Sequence, residues 1–124
     1  MTESLFEISL LKIPVTDIEE ASAFYAEDFG LELQFVAAEY GWAQFALGDC
    51  GLALYRPGGG GGDGKIGGSL DFHLSLAADS FEALAQRLGA KGCLLGDRIH
   101  TGADGTTFVD IADPDGNVLK VFRR

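Results

Sequence analysis

The spacing of apolar residues along the chain switches between a period near two and a period near 3.6, and the switches mark the elements. Phe6-Glu-Ile-Ser-Leu-Leu-Lys-Ile13 alternates as a strand does, and Pro14 ends it. Asp17 then stands where a helix N-cap belongs, with Glu20 three residues on to complete a capping box. Ile18, Ala21, Phe24, Tyr25 and Phe29 form the apolar stripe of that helix, and Gly30 suits its C-terminal position. Ser22, beside the stripe, is small enough to bond a carbonyl one turn back. Three short strands follow at about 32–38, 42–47 and 51–56, separated by Tyr40-Gly41 and Gly48-Asp49.

The pattern then repeats. Leu70-Asp-Phe-His-Leu-Ser-Leu76 predicts a strand, and Asp79 with Glu82 predicts a second capped helix with the stripe Phe81, Leu84, Ala85 and Leu88. Strands are expected near 93–99, 106–112 and 117–123. The last two join through Asp113-Pro114-Asp115-Gly116, where proline presets φ, aspartates bond nearby N–H groups and glycine takes φ > 0. In the closing strand Val118, Lys120 and Phe122 share one face, and Leu119, Val121 and Arg123 the other. Asp17 and Asp79, Glu20 and Glu82, and Gly30 and Gly92 are each 62 positions apart. The chain is therefore expected to be one α+β domain of two tandem βαβββ modules, about 5–57 and 70–124, joined by a glycine-rich linker at 58–69. One helix covers one face of each sheet, so the other faces must be buried or enclose something. Two such sheets make a cupped half-barrel around a central cavity.

Between the modules lies Pro57-Gly-Gly-Gly-Gly-Gly-Asp-Gly-Lys-Ile-Gly-Gly68. A phosphate loop needs a helix directly after it, with Lys-Ser/Thr at the junction; here a strand follows. The expectation is a mobile linker or lid.

Composition narrows the partners. Nine Lys+Arg against 19 Asp+Glu give a formal charge of −10. That argues against nucleic acid and anionic membranes, which need basic patches. No apolar run approaches a membrane span, so a cytoplasmic protein is expected. Cys50 and Cys93 are expected to be reduced, half-buried thiols.

Val15-Thr-Asp17 through Ala23-Phe24-Tyr25, then Gly30-Leu31, then Asp113-Pro-Asp-Gly-Asn117, together resemble the vicinal oxygen chelate superfamily, the group of glyoxalases, bleomycin-resistance proteins and extradiol dioxygenases. The resemblance covers nearly the whole chain. It implies tandem βαβββ modules, often in homodimers. It also implies four metal-ligand positions, on the first and last strand of each module. Transferred here, they fall on Leu10 (Leu11 by the internal repeat), within Ala53-Leu54-Tyr55, on His73 and on Lys120. Only His73 is a ligand type; leucine has no donor and an ammonium repels a cation. No metal and no cofactor is expected.

His73 and Lys120 are the candidate catalytic or anchoring pair. Trp42, Gln44, Tyr55, Arg56, Phe108, Asp110 and Phe122 are the candidate ligand-binding residues, and His100 is expected in an exposed loop. An ammonium in an apolar cup needs an internal carboxylate, Asp110 or Asp71, or a bound anion. The first expectation is metal-independent binding of a small anionic organic molecule. The second is a glyoxalase-like lyase or isomerase in which His73 is general base and Lys120 stabilises an enolate. The third is a partner-binding module with a vestigial cavity.

Overall fold

The computed structural model describes residues 5–124. Strand β1 spans Leu10–Pro14, β2 Glu32–Ala37, β3 Trp42–Leu47 and β4 Cys50–Tyr55. In the second module β5 spans Gly68–Leu76, β6 His100–Thr101, β7 Thr107–Ala112 and β8 Asn117–Arg123. They form two separate four-stranded mixed sheets, ordered β1-β4-β3-β2 and β5-β8-β7-β6. The first strand of each module runs parallel to its last, β1 to β4 and β5 to β8. This is the tandem βαβββ arrangement, with no closed barrel.

Helix α1, Ile18–Ala23, continues as a π-helical turn over Phe24–Phe29. Asp17 is its cap, accepting from the Glu20 N–H at 3.0 Å. Ser22 donates to the Ile18 carbonyl at 2.6 Å, as its position beside the stripe predicts. Gly30 ends the helix at φ +97°, the left-handed region where a side chain is strained. Helix α2, Ala78–Ala90, buries Phe81, Leu84, Ala85 and Leu88. Both helices join one hydrophobic cluster with Ile13, Phe45, Leu52 and Leu54 of the first sheet and Val109, Ile111, Leu119 and Val121 of the second.

Three local expectations need correction. The first strand begins at Leu10, not Phe6, because the paired stretch of β4 reaches only Gly51, opposite Leu10. The second helix has no aspartate cap: Ala77 is the cap residue, and Asp79 lies in the first turn. β5 runs to Leu76, so the chain must turn within one residue, and the helix starts before Asp79. No full strand forms over 93–99. Gly96 and Asp97 have φ of +72° and +53°, and a 3-10 turn at Leu95–Asp97 replaces it. The glycine-rich segment lies against Trp42, Tyr55 and Lys12.

Candidate functional site

Strand parity divides the second sheet. Leu70, Phe72, Leu74 and Leu76 of β5 pack against the core, while Asp71, His73 and Ser75 between them are exposed. The residues facing away from the core form two rows across the strands. His73, Lys120 and Asp110 are neighbours in register, one each from β5, β8 and β7. Phe122, Phe108 and His100 are the next row, from β8, β7 and β6.

The second row with His73 is a continuous run of rings. His73 lies 4.9 Å from Phe122, Phe122 lies 5.4 Å from Phe108, and Phe108 stacks on His100 at 5.4 Å with an interplanar angle of 24°. His100 is not the exposed loop residue expected; it is half-buried on β6, with Nε2 3.1 Å from the Leu95 carbonyl oxygen. The two-residue strand that places it lacks any periodic signal in the sequence. Lys120 Nζ sits 4.2 Å above the Phe108 ring, a cation–π distance, and 3.7 Å from Asp110 Oδ1. Asp110 is thus the internal carboxylate, but a loose one: among the described residues the ammonium donates no hydrogen bond. His73 also lines a cavity of about 430 Å³ at the module junction, with Phe29, Leu31, Leu47 and Leu76 as apolar walls.

The first-module candidates lie elsewhere. Trp42 Nε1 donates to Gln44 Oε1 at 3.2 Å, and Gln44 reaches Gln34 at 3.5 Å. Tyr55 is buried beneath the glycine segment. Arg56 turns toward Gly41 and lines a depression with Thr16, Asp17 and Glu19. Among the described residues these four make no hydrogen bond, ion pair or ring contact with His73, Lys120, Phe108, Asp110 or Phe122. Lys12, which sequence reasoning passed over, shares the open face of the first sheet: its ammonium lies 5.2 Å above the Tyr55 ring.

The implied metal set does not fit these residues. Leu10 carries no donor, Lys120 is a cation, and the Tyr55 hydroxyl already accepts from the Gly64 N–H. Among the described residues no group of three or more His, Cys, Asp or Glu side chains is placed to hold a metal.

The residues that carry the family resemblance have a different role. The buried Asp113 carboxylate accepts from Tyr25 Oη at 2.7 Å, from Asn117 Nδ2 at 2.9 Å, and from the backbone N–H groups of Asp115 and Asn117, each at 2.9 Å. Asn117 Nδ2 also donates to the Pro14 carbonyl at 2.8 Å, and Thr16 N–H to Asp115 Oδ2 at 3.0 Å. The signature is therefore a polar seam that ties module one to module two. Burial, then the charge and hydrogen bond of Asp113, then the charge of Asp115 push the Tyr25 phenol well above its ordinary pKa.

Fold and seam together define a vicinal-oxygen-chelate type of chain. Residues 7–121 match the Glyoxalase/Bleomycin resistance protein/Dioxygenase superfamily, and the chain belongs to that superfamily. None of the curated proteins matches it. Among solved structures it resembles lactoylglutathione lyase from Agrobacterium tumefaciens, with a TM-score of 0.78 and 22% identity over 94% of this chain and 92% of that one. It also resembles a superfamily member from Sphaerobacter thermophilus, with a TM-score of 0.75 and 21% identity over 97% and 98% of the two chains. A glyoxalase-related enzyme from Fulvimarina pelagi has the same TM-score and identity over 97% and 89%. At these identities the likeness is one of fold.

Proposed function

We propose that the protein binds a small planar organic acid on the open face of its second sheet, without a metal. The observation that supports this is the run of four rings, His73, Phe122, Phe108 and His100, beside the Lys120 ammonium. A flat ligand body stacks on the rings, and its carboxylate or enolate accepts hydrogen bonds from the Lys120 ammonium, which only ion-pairs with Asp110. Asp110 reduces the net positive charge, so ring stacking contributes selectivity alongside the anion contact. A homodimer is part of the proposal. The adjacency of His73 and Lys120 in register favours one alternative, a lyase or isomerase acting on a small carbonyl compound.

The chain has two histidines, and both lie in the ring row. Their imidazole NMR signals therefore report on this face directly. Titrating a panel of aromatic and aliphatic acids should move both signals saturably for at least one aromatic acid, with or without chelator present. Lys120→Met should abolish the shift. Silence from every acid, or an undiminished shift in the variant, ends the binding proposal; consumption of a carbonyl compound that depends on His73 would replace it with the lyase.

A further inference from the structure

Three aspartates in the chain precede a glycine: Asp63-Gly64, Asp104-Gly105 and Asp115-Gly116. Such a pair carries its own reaction, because glycine has no Cβ to obstruct it. The glycine nitrogen attacks the aspartate side-chain carbonyl carbon. A C–N bond forms, and the carboxyl OH leaves as water with the amide proton. Water then opens the resulting succinimide. When it attacks the main-chain carbonyl, the chain is left running through the aspartate side chain, as isoaspartate. One water leaves and one returns. The reaction needs a free glycine N–H, a carboxyl that can be protonated and a backbone that can rotate, so its rate follows the fraction of time the pair is open.

Two of the three pairs are locked. Asp115 Oδ2 accepts from the Thr16 N–H at 3.0 Å, and the Gly116 N–H donates to the Asp113 carbonyl at 3.0 Å. The Gly105 N–H donates to the Gly102 carbonyl at 3.0 Å, and Asp104 Oδ1 accepts from the Thr106 hydroxyl at 2.7 Å and its N–H at 3.1 Å. Those bonds from Thr106 hold the Asp104 carboxyl below its ordinary pKa, in the ionised form that resists attack. Asp63 differs. It is exposed, and among the described residues its carboxylate makes no hydrogen bond or ion pair. Glycines at 58–62 and 64 flank it, so its backbone has the most freedom to rotate. One restraint remains, the Gly64 N–H donating to the Tyr55 hydroxyl at 2.9 Å.

We propose that Asp63-Gly64 is a self-modifying site, converted to isoaspartate through a succinimide at a rate gated by the Tyr55 hydroxyl. The product adds one methylene to the main chain and frees an α-carboxylate at an exposed position. Carboxyl methyltransferases that recognise an isoaspartate α-carboxylate, with S-adenosylmethionine as methyl donor, are the class of partner this fits. The added length falls between two fixed points, the Gly59 N–H on the Arg56 carbonyl at 3.3 Å and the Gly67 N–H on Asn117 Oδ1 at 2.8 Å. The modification therefore loosens the connection between the modules without parting them, since the shared core and the Tyr25–Asp113 bond hold them together.

The test ages the folded protein at neutral pH in water labelled with heavy oxygen and maps the peptides by mass. Opening of the ring leaves a labelled oxygen on the affected aspartate. Label, and methyl acceptance from an isoaspartate carboxyl methyltransferase, should accumulate at Asp63 and not at Asp104 or Asp115. In denaturing urea all three pairs should react at similar rates. Tyr55→Phe keeps the ring and removes the acceptor. It should speed the reaction at Asp63 about fivefold, the change in open population on losing one hydrogen bond of ordinary net strength, with Asp104 and Asp115 still unlabelled. Asp63→Glu, whose longer side chain closes a ring far more slowly, should abolish the signal. Label that appears first at Asp104 or Asp115 in the folded protein, or at none of the three, shows that the freedom of Asp63 does not select the site. An unchanged or slower rate at Asp63 in Tyr55→Phe, or an equal rise at all three sites, shows that the hydroxyl is not a local gate. Each of these results overturns the proposal.

Discussion

At the scale of single residues, Tyr25 and Asp113 matter most. They are 88 residues apart and both buried, and their hydrogen bond crosses the module boundary. Tyr25→Phe leaves the Asp113 carboxylate with one donor fewer in a site closed to water. Urea unfolding should show a loss of about 1–3 kcal/mol, the usual result of removing one partner of a buried polar pair. The raised phenol also predicts a pH effect. The folded chain favours the neutral phenol, so Tyr25's contribution is complete below the unfolded pKa near 10.0 and declines as pH rises above it. The ultraviolet ionisation change of Tyr25 should therefore appear only with alkaline unfolding. A full change while circular dichroism stays native would show that the phenol is not held by burial. The sequence displayed these residues as a signature but not their job, because a local pattern carries no information about which distant side chain a carboxylate will meet. Lys12 shows the converse: in a strand pattern it looks like a surface lysine, and only the fold brings it the Gly61 carbonyl and the Tyr55 ring.

At the scale of elements, the periodic stretches were legible and the irregular ones were not. Both helical stripes, the Asp17 cap on the Glu20 N–H, the Ser22 back-bond and the Asp113–Gly116 turn formed as local chemistry requires, with the Gly116 N–H bonding the Asp113 carbonyl at 3.0 Å. The second capping box failed although its residues match the first, because the length of β5 fixes where α2 can start. Propensity proposes a cap, and tertiary geometry decides it. The π-helical turn was invisible to a 3.6-residue period. Its end is secured from outside: Arg87 of α2 donates to the carbonyls of Asp28 at 2.7 Å and Phe29 at 3.2 Å. Gly30 beside it has φ +97°, and a Cβ there would come within 3.2 Å of Arg87 Nη2. Gly30→Ala should therefore cost about 1–2 kcal/mol of left-handed strain, read as a lower urea midpoint. It should also speed hydrogen exchange at the Gly30 and Leu31 amides, which bond the Tyr25 carbonyl. A variant as stable as the parent would show that the turn relaxes at no cost.

At the scale of the whole molecule, the 62-residue repeat was enough to give two modules, since each repeat unit leaves a sheet face that it cannot bury alone. It could not say whether the two open faces meet within one chain, because that depends on how the helices pack at the junction. They pack into one shared core, and the open faces stay on the outside with their separate residue sets. Apolar surface is left over. Edge strand β2 exposes Leu33, Phe35 and Val36 at 42%, 48% and 41%, Tyr40 follows it at 76%, and Leu5 and Ile8 are exposed at 96% and 66%. An edge strand with apolar side chains on both faces is a pairing liability unless something covers it. We predict that a second copy of the chain does, and that the protein is a homodimer. The formal charge of −10 opposes self-association at long range, so burial of these apolar groups must outweigh it, and added salt should tighten the dimer by screening. Light scattering at micromolar concentration should give twice the 13.1 kDa chain mass. Phe35→Lys with Val36→Lys, which places charge on both faces of the edge, should give a folded monomer of the same circular dichroism. A wild-type monomer across that range, or a double variant that remains dimeric, would show that β2 is not where two chains meet.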